Sequence, residues 1–135
     1  MVIYGGPTEA DRAKAIQANH SHITLLAGEV DLQTTTAALA LSKALVTGDT
    51  ATMHLGAGLG VPVGSVWGCT RPSLGSAPWR PHPDSRAFLP LGSTTPCSKH
   101  GASCKHTKSD DPFDSQRCGQ QVDPKTVRAW IEGLL

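Results

Sequence analysis

The sequence predicts an α/β fold in which a parallel sheet is flanked by helices. Two observations carry this prediction. Short apolar runs alternate with helical patterns over roughly the first hundred residues, and the chain of 135 residues contains 14 Gly and 10 Pro. Such a content is typical of tight turns and close backbone approaches, which suit a ligand-binding α/β domain better than a helical bundle.

The first part of the alternating region contains two strands and two helices. A short strand is predicted over Val2–Tyr4, and Thr8 can cap the helix that follows. A second strand covers Ile23–Ala27, and Asp31 caps the next helix. The apolar positions of that helix at helical spacing outline its predicted buried side, which comprises Leu32, Ala37, Leu39, Leu41 and Ala44.

The alternation continues in the next thirty or so residues. Leu45 and Val46 predict a short strand, which is followed by a helix from about Thr50 to Leu59 and by a strand over Val61–Trp67. The glycine-rich run at 56–60 ends this helix instead of opening one. We therefore expect the run to let the helix pack closely, and not to bind a phosphate.

From Cys69 to Val122 the alternation disappears, so we expect a loop-rich segment there. The chain closes with a helix that Asp123 caps and Pro124 starts. The apolar face of this helix is expected to pack back on the domain, through Val127, Trp130, Ile131 and Leu134. The chain thus divides into a core at 1–72, a loop-rich Cys/His segment at 73–122 and a C-terminal helix at 123–135.

The charge of the chain excludes one class of partner. Lys plus Arg is 12 and Asp plus Glu is 11, which gives a net charge of +1. A nucleic-acid binder usually has a basic excess or stripe, so we expect no nucleic-acid partner. The N-terminus lacks the basic start and apolar run of a secretory signal, and glycines and prolines interrupt the least charged stretch. We therefore expect no transmembrane segment.

Candidate ligand-binding residues follow two strand ends, because ligands of open α/β sheets bind outside the carboxyl ends of the strands. These candidates lie in Gly5–Glu9 and Gly48–His54. At the second, a helix that starts directly after a strand offers backbone N–H groups and a partial positive charge to a phosphate. His54 lies on the same side of this helix as Thr50. The spacing fits equally well with Asp49 as an ordinary N-cap and His54 as a packed helix residue.

A group of cysteines in the loop-rich segment is a candidate metal site. Three thiolates and an imidazole can complete a tetrahedral zinc site, here from Cys97, Cys104, Cys118 and His100. The chain has no C-x-x-C pair and the spacing is loose. Free thiols are therefore the default expectation, and a disulfide is a further alternative.

The order and spacing of several motifs carry a family resemblance. They are residues 5–9 (GGPTE), 26–28 (LAG), 48–55 (GDTATMHL), 59–63 (LGVPV) and 67–72 (WGCTRP), with a cysteine-bearing segment at 96–101 (PCSKHG). Together they resemble the C-terminal half of glycosyltransferase family 9, which comprises the heptosyltransferases of lipopolysaccharide core synthesis and their relatives. The resemblance runs from Val2 to about Pro72 and more loosely beyond.

This resemblance implies a GT-B architecture, of which the chain is the Rossmann-like C-terminal half that holds a nucleotide-diphosphate sugar. Carried over by position, Glu9 contacts the ribose hydroxyls and the backbone of Val30 lies near the base. The diphosphate and sugar are lined by Asp49, Thr50, Ala51 and His54. The implied reaction is an inverting transfer of heptose or a similar sugar to lipopolysaccharide or another surface-glycan acceptor, without metal or cofactor. The implied location is cytoplasmic, peripheral at the inner face of the cytoplasmic membrane.

Two departures from the family pattern qualify the implied function. The family's D-T-G is D-T-A here, so Ala51 adds a methyl group where a phosphate approaches the backbone. The sequence has no counterpart of the family's N-terminal acceptor domain, which supplies the general base, nor of the first, central strand of the C-terminal domain. We therefore expect this chain alone to have no transferase activity. The alternatives are a non-catalytic nucleotide- or sugar-phosphate-binding module and a zinc-stapled interaction domain.

Overall fold

The strands of the protein pair in parallel, as the sequence predicts for an α/β fold. The computed structural model describes residues 1–68, 70–90 and 122–135. Within these residues, one sheet has the order β1–β2 and a second has the order β3–β4–β5, and all three strand pairings are parallel. The two sheets belong to two compact units, Met1–Leu41 and Ser42–Leu135, and each unit is described by itself. The predicted division at 72 stays a prediction.

The first unit is a βαβα segment. Strand β1 (Val2–Ile3) leads through a 3₁₀ turn at Pro7–Glu9 into helix α1 (Ala10–Gln17), and β2 (Thr24–Leu25) then pairs with β1. Helix α2 (Leu32–Ala40) follows. The buried side chains of the unit are apolar. They come from α1, from the residues before and after β2 and from α2, namely Ala13, Ile23, Ala27 and Leu39.

Two predictions for this unit are wrong. Thr8 does not cap a helix, because it lies inside the 3₁₀ turn that Pro7 begins. The predicted buried side of α2 is largely exposed: of its members only Leu39 is buried, whereas Leu32 and Leu41 are 66% and 88% exposed. The helix ends at Ala40, so the apolar spacing that ran on to Leu41 and Ala44 does not belong to one helical face.

The second unit is built around the central strand β4. Strand β3 (Leu45–Thr47), helix α3 (Ala51–Gly58) and β4 (Val63–Val66) form a parallel βαβ unit. Helix α3 packs closely on the sheet at Gly56, where a Cβ atom would lie 2.7 Å from a methyl carbon of Leu45. The expectation that the glycine-rich run permits close packing is confirmed at this position. Gly60 ends the run in the left-handed region, with φ +76°.

A third strand of this sheet lies where the sequence predicts only loops. Strand β5 (Arg86–Phe88) pairs in parallel with β4, in the register that aligns Val66 with Phe88. Arg86 and Ala87 are exposed and only Phe88 is buried. Such a strand has no apolar alternation along its sequence, and its backbone pairing with β4 defines it instead.

The C-terminal helix packs back on the second unit, as predicted. Helix α4 (Pro124–Glu132) begins at the Asp123 cap, and its predicted apolar face is half-buried. The Trp130 ring meets that of Phe88 edge-on, with centroids 5.9 Å apart at 74°. The indole N–H of Trp130 also donates to the Asp84 carbonyl oxygen at 2.8 Å. In the described part of the chain, the helices are either too short or too polar to cross a bilayer.

Gly64 provides the surface on which α4 packs, and this generates a first prediction. A Cβ atom at Gly64 would lie 2.6 Å from the Trp130 ring and 3.0 Å from that of Phe88. We expect Gly64→Ala to lower the free energy of unfolding by about 1–3 kcal/mol, because two rigid rings must move. Urea unfolding measures this loss.

Gly58→Ala is the matched control, since a Cβ atom at Gly58 meets nothing within 4 Å and lies in a helix. This change should raise stability slightly, because Ala favours helices over Gly. Trp130→Leu in the Gly64→Ala background should recover part of the loss. Full stability of Gly64→Ala itself would contradict the described packing of α4.

The cap of α2 generates a prediction about pH. The backbone N–H of Thr34 donates to Asp31 Oδ1 at 2.8 Å, and this bond lowers the pKa of Asp31 from its ordinary value. The charged carboxylate therefore adds stability above the unfolded-state pKa of about 4, and this contribution is lost as the pH falls through the lowered folded-state pKa. Asp31→Asn keeps a capping oxygen without the charge.

Urea midpoints of wild type and Asp31→Asn are to be measured at neutral pH and at successively lower pH below 5. We expect the wild type to lose more stability on acidification than Asp31→Asn. Asp31→Ala, which loses cap and charge together, should be the least stable of the three at neutral pH, with Tm about 3 °C lower. Parallel pH curves for wild type and Asp31→Asn would exclude this role of the carboxylate.

Candidate functional site

The carboxyl edge of the β3–β4–β5 sheet contains the turn that leads into α3. Because the three strands are parallel, the residues that follow each of them emerge at this one edge. The register aligns Thr47 with Ser65, so β3 and β4 end close together. A Cβ atom at Gly48 would lie 3.8 Å from the carbonyl oxygen of Val66. The turn after β3 therefore passes beside the end of β4.

Helix α3 begins without a side-chain cap. Thr50 occupies the N-cap position in an extended conformation, with φ −141° and ψ 166°, but its side chain accepts no hydrogen bond from the helix backbone. Its hydroxyl instead pairs with the hydroxyl of Thr47, with 3.0 Å between the oxygens. Met53 donates its N–H to the Thr50 carbonyl oxygen at 3.1 Å. The N–H groups of Ala51 and Thr52 at the start of the helix thus remain for a ligand.

The predicted residues of this region lie together at the start of α3. The reading of Asp49 as an ordinary N-cap is wrong, because Thr50 holds that position. Asp49, Thr50 and Ala51 are exposed, and His54 is exposed one turn further along the helix. A carboxylate, a hydroxyl, an imidazole and helix N–H groups are therefore accessible from solvent in one short stretch.

Helices α2 and α4 begin differently, because each has a side-chain cap. Asp31 accepts the N–H of Thr34 at the start of α2, and Asp123 accepts that of Lys125 at 2.9 Å at the start of α4. A carboxylate in that position satisfies helix N–H groups and offsets the positive end of the helix dipole. At α3 the corresponding groups have no such partner among the described side chains. Helix α1 likewise has no side-chain cap, but it continues from the 3₁₀ turn at Pro7–Glu9, whereas α3 starts directly after a strand. Unlike those of α2 and α4, the positive end of α3 is thus open to an external anion.

In the first unit, Glu9 is fixed at the edge where β1 and β2 end. Its Oε2 accepts the N–H of Gly6 at 2.5 Å, and its own N–H donates to the Gly6 carbonyl oxygen at 3.1 Å. The N–H of Gly28, after β2, donates to the carbonyl oxygen of Gly5, after β1, at 3.0 Å. Gly28 has φ +71°, and a Cβ there would lie 3.2 Å from the Pro7 backbone. These contacts hold the exposed Glu9 carboxylate at the carboxyl edge of this sheet.

Val30 lies at the same edge of the first sheet. It is half-buried, follows the turn after β2 and directly precedes Asp31, the cap of α2. Its neighbour Glu29 forms an exposed ion pair with Lys14, with 3.9 Å between Nζ and Oε1. The structure thus places Glu9 and Val30 at the carboxyl edge of one sheet. It places the residues at the start of α3 at the carboxyl edge of the other.

Two buried side chains after β4 are not among the predicted site residues. Trp67 is fully buried, and its indole N–H donates to the Ser65 hydroxyl at 2.8 Å. Arg71 is also buried, and its guanidinium donates to the carbonyl oxygens of Gly68 and Thr70. Both residues belong to the 67–72 motif of the family resemblance. That motif pointed to this segment but not to a role for either side chain. Their contacts fix the backbone that follows β4.

The predicted zinc ligands Cys97, Cys104, Cys118 and His100 lie outside the described residues. The zinc site and the disulfide alternative therefore stay predictions. Within residues 1–68, 70–90 and 122–135, no three His, Cys, Asp or Glu side chains are grouped so that they could hold a metal ion. An open depression of about 510 Å³ lies at the turn between α1 and β2, and its lining contains no predicted site residue: it consists of Gln17, Ala18, Asn19, His20, Ser21 and Ile23.

Comparison with known proteins bears on both the fold and the family. The crystal structure of a glycosyl transferase family 9 protein from Veillonella parvula DSM 2008 matches with a TM-score of 0.66 and 20% identity. The match covers 98% of this chain and 35% of that one, so the chain spans about a third of its length and shares its fold over that part. No curated protein gives a significant match. A family model described as glycosyltransferase family 9 (heptosyltransferase) matches residues 1–108. The chain therefore belongs to glycosyltransferase family 9.

Proposed function

We propose that the chain binds the nucleotide-diphosphate sugar donor of a sugar transferase, with the diphosphate at the start of α3. The observation that carries this proposal is that α3 begins directly after β3, at the carboxyl edge of a parallel sheet, with no side-chain cap. Unpaired N–H groups and the positive end of a helix dipole favour an anion at such a position.

The residues around this helix start divide between the two chemical parts of the ligand. The backbone N–H groups of Ala51 and Thr52 suit the phosphate oxygens, and the imidazole of His54 can donate a further hydrogen bond. The Asp49 carboxylate is an acceptor that would repel a phosphate, so it suits the hydroxyls of the transferred sugar. The family has Gly at position 51. The Cβ of Ala51 takes up part of the space through which the diphosphate would reach the backbone N–H groups.

The nucleoside part of the ligand suits the edge of the first sheet. A carboxylate accepts the paired hydroxyls of a ribose, and Glu9 is held at that edge by its bond to the Gly6 N–H. The backbone of Val30, between β2 and α2, would lie near the base. These two assignments rest on the family pattern and on the position of both residues at the carboxyl edge.

The reaction itself is proposed for a full-length family 9 enzyme and not for this chain alone. An acceptor hydroxyl would attack the anomeric carbon of a heptose or similar sugar with inversion, and the bond from that carbon to the diphosphate oxygen would break. The acceptor proton would pass to a general base outside this chain. The N–H groups and dipole of α3 would stabilise the charge that develops on the leaving diphosphate, which is the role a metal has in other transferases.

The acceptor and location belong to the same proposal. The proposed acceptor is a lipopolysaccharide or another surface glycan. The proposed location is the inner face of the cytoplasmic membrane. The family pattern supports both, and nucleotide binding without transfer is the alternative for this chain. A zinc-stapled interaction domain is the second alternative, and it predicts no binding of nucleoside diphosphates.

Titration of ADP, UDP and GDP into isotopically labelled protein tests the donor site, with Ala51→Pro as the decisive variant. Pro at the first position of a helix removes one N–H and keeps the helix, and the extended Thr50 before it tolerates a following Pro. We expect wild type to show amide shifts at Glu9, Asp49, Thr50 and His54. We expect Ala51→Pro to weaken diphosphate binding about tenfold or more, because a charge-assisted hydrogen bond is lost.

Ala51→Ser is the matched control, since it changes the side chain at the same position and keeps the N–H. It should bind the diphosphate far better than Ala51→Pro, while both variants retain the wild-type Tm within about 2 °C. If the Pro and Ser variants bound the diphosphate equally well, the backbone N–H of residue 51 would not be part of the site. A dispersed spectrum that no nucleotide shifts would show that the chain has no donor site.

Glu9→Gln tests the nucleoside part of the site. The amide oxygen of Gln can still accept the Gly6 N–H, so the turn should be preserved. We expect the affinity for the preferred nucleoside diphosphate to fall about tenfold, because a charged acceptor of the ribose hydroxyls is lost. The affinity for inorganic pyrophosphate should not change. A parallel loss for both ligands would mean that Glu9 does not contact the ribose.

A further inference from the structure

A large aromatic side chain is exposed in the connection between β4 and β5. Trp79 is 80% exposed, and Leu74 in the same connection is 47% exposed. A Trp side chain contributes one of the largest apolar areas that a protein can bury. By contrast, Trp67 is buried and Trp130 is half-buried. Trp79 therefore presents its indole to a contact outside the chain.

The base of this connection is anchored, so Trp79 is presented from a defined support. On one side, Arg71 donates to the Gly68 carbonyl oxygen. On the other side, the Ser85 hydroxyl accepts the N–H of Val63 in β4 at 3.0 Å, and the Asp84 carbonyl oxygen accepts the Trp130 indole N–H. Residues 72–83, most of which are exposed, therefore lie between two segments that are fixed to the second unit.

The backbone next to Trp79 adopts a conformation that is unusual for its residue type. Arg80 has φ +49°, and it is the one non-glycine residue with a positive φ among the described residues. Backbone in this region carries strain, which is found preferentially at functional positions. The Arg80 guanidinium carbon lies 5.8 Å from the centre of the Trp79 ring, so a cation and an exposed aromatic ring are presented together.

The charged side chain that stands beside Trp79 is a cation, and the carboxylate that follows the segment, Asp84, lies 3.7 Å from His82. No Asp or Glu occurs from 50 to 83, and the 72–83 segment carries Arg80 and His82. Among the described residues Asp84 pairs with His82, and Arg80 has no carboxylate within ion-pair distance. The exposed indole, the exposed Leu and the Arg80 guanidinium together suit a surface with an apolar interior and anionic headgroups. We propose that residues 72–83 dock on an anionic lipid bilayer, with Trp79 and Leu74 at the interface and Arg80 on the lipid headgroups.

A bilayer fits these residues better than a second copy of the chain. Tryptophan is enriched where a membrane meets water, since one end of its ring system is apolar and its N–H is polar. A carbohydrate or protein partner would need several fixed polar groups, whereas this segment presents one guanidinium beside exposed apolar groups. The choice of a lipid surface also rests in part on the proposed function, because a glycolipid acceptor lies in a membrane.

Cosedimentation of the full chain with lipid vesicles tests the proposal. We expect binding to mixed phosphatidylcholine–phosphatidylglycerol vesicles that exceeds binding to phosphatidylcholine vesicles and weakens at high salt. Trp79→Ala should lower the partition coefficient about tenfold. Arg80→Gln should lower it about fivefold, which corresponds to one basic contact with the anionic surface. Tryptophan emission should shift to the blue on binding by wild type and not by Trp79→Ala.

Leu41→Ala is the matched control, because Leu41 is a highly exposed apolar side chain of the first unit. It should leave vesicle binding unchanged, and all three variants should keep the wild-type Tm. Equal losses for Leu41→Ala and Trp79→Ala, or equal binding to neutral vesicles, would overturn the proposal. So would self-association in the absence of lipid that Trp79→Ala abolishes, since it would assign the surface to a second copy.

The nucleotide titration described above is run on the same variants. Trp79→Ala and Arg80→Gln should bind nucleoside diphosphates as wild type does. Loss of vesicle binding with intact nucleotide binding is the result expected of these variants. Wild-type vesicle binding without any nucleotide binding would contradict the proposed function but not the lipid contact.

Discussion

The parallel pairing of β4 with both of its neighbours is the constraint on which the second unit depends. It makes β3, β4 and β5 end at one edge, so the turn into α3 lies beside the backbone that leaves β4. Gly48 passes beside the end of β4, where even a Cβ atom would be in ordinary contact with the Val66 carbonyl oxygen at 3.8 Å. The position of the start of α3 thus depends on the strand pairing as well as on the residues of the turn.

The start of α3 differs from the starts of α2 and α4 in how its first N–H groups are bonded. At α2 and α4 an Asp side chain satisfies the first N–H groups, which stabilises the helix by itself. At α3 the side chain that could do so is bonded to Thr47, back towards the strand. The stability that a cap would provide is therefore absent at α3. The anion proposed to bind there would supply it, so that binding would also stabilise the fold.

The sequence predicts those features of the fold that depend on local chemistry. The parallel α/β class, the Asp31 and Asp123 caps and the apolar face of α4 are confirmed, because periodicity and capping are local signals. Strand β5 could not be predicted, since two of its three residues are exposed and its pairing with β4 is a long-range contact.

The same distinction applies to the candidate site. Spacing located the start of α3 but placed its cap one residue early, at Asp49. An Asp precedes both α2 and α3, and only the conformation of Thr50 shows that the two differ. The exposure of Leu41 also escaped prediction, because apolar spacing does not reveal where a helix ends. The proposed role of Glu9 as a ribose ligand comes from the family motif, whereas the structure gives the backbone bond that orients its carboxylate.

The packing of Trp130 against Gly64 has a consequence for folding during synthesis. A glycine in the central strand and an indole near the end of the chain must meet before this face of the sheet is covered. During synthesis, β3, α3 and β4 leave the ribosome well before Trp130 does. The nascent second unit therefore passes through a stage in which Phe88 and its neighbours on β4 lack their cover, and this face is packed only after α4 has emerged.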